Sequence, residues 1–238
     1  MYAETAAYYD VIYDFKDYEQ ESRQVIDLVD RHLRSGGNRL LDVACGTGRH
    51  LEYLGRRFQV EGLDLSPELL EIAHRRNPGV PLHRADMVDF DLGRAFDVIT
   101  CLFSSIGYVK TLEALDRALS CMARHLLPGG LLVVEPWFTP DAWQPHSVHA
   151  QLIDEPELKI ARVNTSFVQG RLSYFDLHHL IGTPQGTQYL VERHELGLFE
   201  THEMHEAFVR AGFQITYDDQ GLTGRGLFLG LRPPTRHP

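Results

Sequence analysis

Apolar positions along this chain switch repeatedly between a helical and an extended period. Tyr18 to Leu33 sets Val25, Ile26, Leu28, Val29 and Leu33 on one broad helical stripe, and an aromatic-rich helical pattern from Met1 to Tyr13 precedes it. Leu40-Leu41 then read as a strand that ends in Asp42-Val43, followed by a helix over 48–57 and a strand over 59–63. Ser66 followed by Pro67-Glu68 has the chemistry of a helix N-cap and first turn. Val80–His83 and Phe96–Leu102 read as further strands. Leu112, Leu115, Leu119, Met122 and Leu126 recur at helical spacing over 111–127, and Pro128-Gly129-Gly130 turns the chain into the apolar run Leu131 to Val134.

The pattern changes beyond Trp137. Three extended segments, 158–168, 171–181 and 189–199, are separated by Gln169-Gly170 and by Thr183-Pro184-Gln185-Gly186. A helix over 201–212 and strands over 213–217 and 226–232 close the chain. The alternation predicts an α/β fold with a mostly parallel sheet, an antiparallel excursion at about 146–199 after strand five, and a closing hairpin. Within the excursion, Leu158, Ile160, Arg162, Asn164 and Ser166 share one face of a strand, and Ala161, Val163 and Phe167 the other. Its polar face suits either solvent at a sheet edge or the floor of a site for an anionic or hydroxyl-rich ligand.

The most informative chemistry lies in Leu40-Leu41-Asp42-Val43-Ala44-Cys45-Gly46-Thr47-Gly48-Arg49-His50. A strand, a glycine turn and a helix start let a ligand lie against backbone. Asp64, at the end of the next strand, is placed to take both hydroxyls of a ribose. A dinucleotide fits poorly, because Leu51 stands where the fingerprint needs its third glycine. Asp42 would repel phosphate but suits the ammonium and sulfonium charges of S-adenosylmethionine (SAM). Asp86-Met87 offers a carboxylate to an adenine amine and a thioether to its face.

Composition removes several function classes. The chain has 238 residues, 43% hydrophobic and 24% charged, enough for a full core. A net charge of −10 argues against a nucleic acid partner. No apolar run reaches the roughly 18 residues of a membrane span, and the start lacks a basic-then-apolar leader, so a cytoplasmic protein without a membrane partner is expected. The three cysteines (Cys45, Cys101, Cys121) form neither a CxxC nor a disulfide framework, and Cys45 reads as a small residue packed beneath the glycine loop. The thirteen histidines include no HExxH, so no metal is expected.

Acid-plus-glycine loop, second acid, Asp-Met and Pro-Gly-Gly, in this order, resemble the class I SAM-dependent methyltransferases, with their Rossmann-like, mostly parallel seven-stranded sheet. The resemblance narrows with YYD near the start, KDY at 16–18, DM-x-DF at 86–90, Phe103-Ser104-Ser105-Ile106-Gly107-Tyr108, Val133-Val134-Glu135-Pro136-Trp137-Phe138 and Gly224-Arg225-Gly226-Leu227-Phe228. Along its whole length the chain is similar to nucleotide-sugar N,N-dimethyltransferases, which dimethylate the amine of dTDP-linked 3-amino-deoxyhexoses in desosamine and mycaminose biosynthesis.

That resemblance implies one methyltransferase domain over 1–238, a helical lid at 1–34, and an insert at 146–199 for substrate binding or dimerisation. It implies Tyr9 and Tyr18 closing over SAM, Ala44 and Gly46 lining it beside Asp42 and Gly48, Asp64 with Leu65 at its ribose, Asp86 and Met87 at its adenine, and Leu102 nearby. Tyr2 and Tyr108 would flank the reacting amine. Ser105, Trp137, Arg162, Ser166, His178 and Arg225 would contact the sugar nucleotide, Arg225 at its diphosphate. A homodimer is the implied assembly. The chain departs from the family at Tyr13-Asp14-Phe15-Lys16, at Phe138 and at Asn164-Thr165, all on the lid or acceptor side. Arg225 alone also fits a solvated turn, and Tyr108 alone a packing aromatic. A methyltransferase acting on another small molecule, or a non-catalytic SAM-binding protein, are the other readings.

Methyl transfer from sulfonium to nitrogen needs alignment and exclusion of water more than a strong base. Tyrosine, with a reference pKa of about 10, is a poor base at neutral pH, so Tyr108 and Tyr2 are expected to orient the amine.

Overall fold

The computed structural model describes residues 5–234. Tyr2 lies outside the described residues. A 3-10 turn (Ala6–Tyr8) leads into the single-turn helix α1 (Tyr9–Ile12), then α2 (Tyr18–His32), β1 (Arg39–Val43), α3 (Arg49–Leu54), β2 (Gln59–Asp64), α4 (Pro67–Arg76), β3 (Leu82–Arg84) and β4 (Phe96–Cys101). A second 3-10 turn (Ser105–Val109) precedes α5 (Leu112–Arg124) and β5 (Leu126–Val134). Four strands follow: β6 (Val148–Glu155), β7 (Leu158–Gln169), β8 (Leu172–Thr183) and β9 (Gly186–Gly197). The chain ends with α6 (Thr201–Arg210), β10 (Gln214–Asp218) and β11 (Leu227–Leu231).

The seven-stranded sheet has the order β10-β11-β5-β4-β1-β2-β3. Only β11 runs antiparallel to its neighbours β5 and β10. Leu40 and Leu41 point to opposite faces of β1 and enter two separate cores. Leu40 joins Val25 and Val29 of α2 and Leu51 and Leu54 of α3. Leu41 joins Leu115 and Leu119 of α5 and Phe208 of α6. Strand order reverses between β1 and β4, so a crevice opens outside their C-terminal ends. The glycine loop and Phe103–Tyr108 both start there.

Two elements differ from the sequence reading. Among its described residues the first helical pattern yields the 3-10 turn and four residues of α1. So short a helix is not self-supporting, and tertiary contacts hold it. Ile12 packs on Ile160 and Ile181, Gln151 Nε2 donates to the Ile12 carbonyl (2.8 Å), and Asp10 accepts from Thr47 Oγ1 (2.7 Å) and from Arg76. The second difference is β6, an edge strand with most residues exposed and no alternation strong enough to mark it.

β6–β9 form a separate antiparallel sheet in sequential order, so β7 is interior rather than at an edge. The face carrying Arg162 and Ser166 turns inward, where Ile160, Ser166, Leu177, Ile181 and Leu196 are buried, and the opposite face leaves Val163, Leu180, Tyr189 and Val191 exposed beside Lys159, Asp176 and Arg193. Among the described residues no helix is long and apolar enough to cross a membrane.

Candidate functional site

The turn after β1 begins with Ala44 at φ +59°, a left-handed conformation unusual for a residue with a side chain. Gly46 (φ +57°) and Gly48 (φ +74°) supply the rest of the reversal, and Gly48 caps α3 without lining any cavity. Asp64 Oδ2 accepts from the Gly46 amide (2.8 Å) and Oδ1 from the Ser66 amide (2.9 Å). One carboxylate thereby ties the glycine loop to the start of α4. Burial raises the pKa of Asp64, offset by these backbone donors. Cys45 packs where Gly62 leaves room, since a Cβ at Gly62 would meet its sulfur at 2.8 Å. All three cysteines are free and buried, and burial pushes the Cys45 thiol up, so it packs rather than reacts.

A cavity of about 890 Å³ runs from Asp64, Leu65, Asp86 and Met87, past Tyr9, Ala44 and Gly46, to Ser105, Tyr108, Trp137, Phe175, His194 and Arg225. A side chamber of about 40 Å³ shares Tyr9, Ala44, Gly46, Phe103 and Ser105 and adds Tyr18, Asp42, Arg49, His50 and Leu102. Two of its polar atoms, the Tyr18 hydroxyl and Arg49 Nε, are buried without a hydrogen-bond partner among the described residues, Arg49 being held by longer ion pairs to Asp10 (3.6 Å) and Asp14 (3.5 Å). Burial raises the Tyr18 pKa, keeping the phenol a donor. Two buried donors beside the Asp42 carboxylate are the complement of an amino acid zwitterion, so the chamber fits the methionine end of SAM. Arg49 carries no motif signal beyond opening α3, and only the fold shows its place there.

Asp42 accepts from Thr100 Oγ1 (2.7 Å), and burial raises its pKa from 3.8 to about 6, against the lowering effects of His50 and that bond. Lys16 of the lid pairs with Glu21 (2.6 Å) and lies 4.1 Å from the Phe103 ring centre, and Glu21 in turn binds His50 (2.9 Å). The N-terminal segment is therefore anchored to the chamber at both Phe103 and His50.

At the acceptor end, Phe103 and Ser104 are consecutive left-handed residues (φ +52° and +58°), a strained turn that needs outside support. Glu135, fully buried at the end of β5, provides it. Its carboxylate accepts from the Phe103 amide (2.6 Å) and from Thr223 Oγ1. Ser104 Oγ donates to the Pro136 carbonyl (2.7 Å) and accepts from Arg225 Nη1 (2.8 Å). The Arg225 guanidinium sits 5.6 Å from the Trp137 ring and 5.3 Å from that of Phe138. Three loops distant in sequence thus form one wall.

Not every candidate joins it. Arg162 and Ser166 occupy the inward sheet face without lining the cavity, although the Arg162 guanidinium lies 5.3 Å from the lining ring of Tyr13. His178 faces the opposite way, exposed and hydrogen-bonded to Tyr189, because β8 alternates and its cavity side is taken by Phe175 and His179. Sequence reading missed His194, whose Nδ1 lies 2.7 Å from the Tyr108 hydroxyl. No motif marks it. Among the described residues no group of three or more His, Cys, Asp or Glu is placed to hold a metal ion.

Two outcomes follow from this geometry. In Glu135→Gln, the side-chain amide must turn a donor toward either the Phe103 amide or Thr223. Thermal melts should show a loss of roughly 1–3 kcal/mol, and acceptor kcat/KM should fall while the SAM dissociation constant measured by titration calorimetry stays put. Asp42 is the second case. Its raised pKa means that the folded state resists ionisation, so the stability penalty is absent below about pH 4, grows through about pH 6 and is complete above it. Asp42→Asn should therefore raise the ligand-free Tm at pH 8 and not at pH 4. Wild-type SAM affinity should weaken as pH falls through about 6, and affinity of the variant should be low at both ends.

Comparison with known proteins agrees with this arrangement. Residues 40–130 match a methyltransferase domain. The chain is 42% identical over 232 residues to a dTDP-3-amino-3,6-dideoxy-alpha-D-glucopyranose N,N-dimethyltransferase of Streptomyces fradiae, covering 96% of this chain and 91% of that one. It is 40% identical to a dTDP-4-amino-2,3,4,6-tetradeoxy-D-glucose N,N-dimethyltransferase of Saccharopolyspora spinosa, covering 94% and 91%. SAM-bound CalS10, an amino pentose methyltransferase from Micromonospora echinaspora, superposes with a TM-score of 0.86 at 40% identity, covering 94% and 96%. The chain belongs to the SAM-dependent nucleotide-sugar N,N-dimethyltransferases.

Proposed function

We propose that this chain carries two methyl groups in succession onto the amine of a dTDP-linked amino-deoxy sugar. The observation that carries this reading is the continuity of the cavity, with SAM-type residues at one end and Tyr108, Trp137 and Arg225 at the other. SAM bound at Asp64, Asp86, Met87 and the side chamber supplies an electrophilic methyl. The residues of the chain do the rest. Phe103 and Ser105 border both the chamber and the acceptor cavity, so an amine held near Tyr108 lies on the path of in-line attack. Trp137, whose indole N–H donates to Ser173 Oγ (2.9 Å), and Phe175 give the sugar nucleotide apolar walls. Lid residues Tyr9, Tyr13 and Lys16 cover the site against water. Arg225, already oriented by Ser104 and two aromatic rings, keeps further N–H donors for the diphosphate. The relatives include both 3-amino and 4-amino acceptors, so both sugar classes belong in the substrate screen.

The second part of the proposal is a homodimer built on the outer face of β6–β9. Leu152, Val163, Leu180, Tyr189 and Val191 are exposed there in register across all four strands. These exposed apolar side chains lie on the face opposite the buried Ile160, Leu177, Ile181 and Leu196, and a second copy related by a two-fold axis would cover them. Placement in the cytoplasm is supported by three unpaired thiols, which persist in a reducing compartment.

Arg225→Ala should raise KM for the dTDP-amino sugar by about tenfold or more, the scale of losing a charge-assisted contact, with SAM affinity unchanged. An unchanged KM overturns the nucleotide-sugar assignment. Sedimentation should find the wild type at twice the chain mass and Leu180→Arg at the chain mass. A monomeric wild type removes the dimer.

A further inference from the structure

We propose that Arg76, the last residue of α4, is a positioning residue for the cofactor: it fastens Asp10 of α1 to the glycine loop and so keeps Tyr9 and Arg49 at the side chamber. One guanidinium touches both parts. Arg76 Nη1 donates to the Thr47 carbonyl (2.7 Å) and Nη2 to Asp10 Oδ2. The Thr47 hydroxyl donates to the other Asp10 oxygen (2.7 Å), so Asp10, Thr47 and Arg76 close a ring of three hydrogen bonds. Thr47 is buried and lines the chamber. Tyr9, next to Asp10 in the chain, lines both the chamber and the main cavity.

The ring also settles a competition between two arginines. Arg49 Nε lies 3.6 Å from the same Asp10 oxygen that accepts from Thr47, and Arg49 Nη2 lies 3.5 Å from Asp14. At those distances the charges attract without forming good hydrogen bonds. Arg76 and Thr47 hold the close positions on Asp10, and Arg49 Nε stays buried at the chamber wall with no hydrogen-bond partner among the described residues. Removing the Arg76 charge has two consequences. Arg49 becomes the cation beside Asp10, which draws its donors out of the chamber. The four residues of α1 lose their charged tie to α4, while Ile12, Gln151 and the bond from Gln188 to Tyr8 Oη (2.7 Å) still hold the segment to the four-stranded sheet. Both changes weaken the chamber that fits the methionine end of SAM, and neither reaches the wall built on Glu135 and Arg225. Lysine is a poor substitute, because a single ammonium lacks the planar fork that spans a carboxylate and a carbonyl.

The test is titration calorimetry with SAM, which needs no acceptor and so stands apart from the acceptor assignment. Arg76→Met should bind SAM about tenfold more weakly, the scale of one charge-assisted hydrogen bond. In turnover, KM for SAM should rise by more than kcat falls. Arg75→Met removes a cation from the same helix and breaks its exposed pair with Glu71, and it should bind SAM as the wild type does. Arg76→Lys should fall between wild type and Arg76→Met. Asp10→Asn should also weaken SAM binding, and the double variant Asp10→Asn/Arg76→Met should bind no more weakly than the weaker single variant, because the two residues share one interaction. Hydrogen exchange of the ligand-free protein gives a readout without SAM. Amides of Tyr9–Tyr13 should exchange faster in Arg76→Met, with those of α4 unchanged. Unchanged SAM affinity in Arg76→Met, or additive losses in the double variant, overturns the proposal. Faster exchange confined to α4 assigns Arg76 to the stability of that helix and overturns it as well.

Discussion

The acceptor half of the site depends on the buried carboxylate of Glu135. It sits at the end of β5, accepts from the strained Phe103 amide and from Thr223, and joins the ends of β4 and β5 to the loop before β11. A left-handed pair at Phe103-Ser104 costs free energy, on the order of 1–3 kcal/mol per strained residue, and persists because several hydrogen bonds converge on it. That turn places Ser105 and Tyr108 toward the cavity. The Ser104 hydroxyl then passes the constraint on to Arg225 and the Pro136 carbonyl.

Asp64 has the corresponding role on the donor side. It accepts hydrogen bonds from two backbone amides, those of Gly46 and Ser66, so the conformation of the glycine loop and the position of the carboxylate depend on each other. Asp10 of the lid reaches the same loop through Thr47 Oγ1, and Arg76 binds both Asp10 and the Thr47 carbonyl. A helix of four residues thus acquires a fixed position from contacts with the glycine loop and α4 on one side and the four-stranded sheet on the other.

The four-stranded sheet explains why pattern reading reached its limit there. Alternation identified its last three strands, because a period of two is local. It could not say which face is inside. Arg162 and Ser166 share the inward face with the buried Ile160, Leu177, Ile181 and Leu196, so in this sheet polar side chains are carried inward together with apolar ones, and the other face leaves Val163, Leu180, Tyr189 and Val191 exposed. The turned-away His178 and the missed strand β6 have the same origin: the first depends on which face of β8 packs, and the second is an exposed edge.

Local sequence determined the parts of this protein that depend on neighbours a few residues apart. These are the glycine loop after β1, the acid at the end of β2, the Ser66 cap, the amphipathic stripe of α5 and the succession of strands and helices that implies a parallel sheet. Tertiary structure decided which of those segments meet. Tyr108 and His194 are 86 residues apart, Glu135 and Thr223 are 88 apart, and Ser104 and Arg225 are 121 apart. Contacts at such separations are set by sheet order, strand register and the direction in which each strand end leaves the sheet. Periodicity carries none of that information, because a side-chain pattern specifies a face and not the partner placed against it.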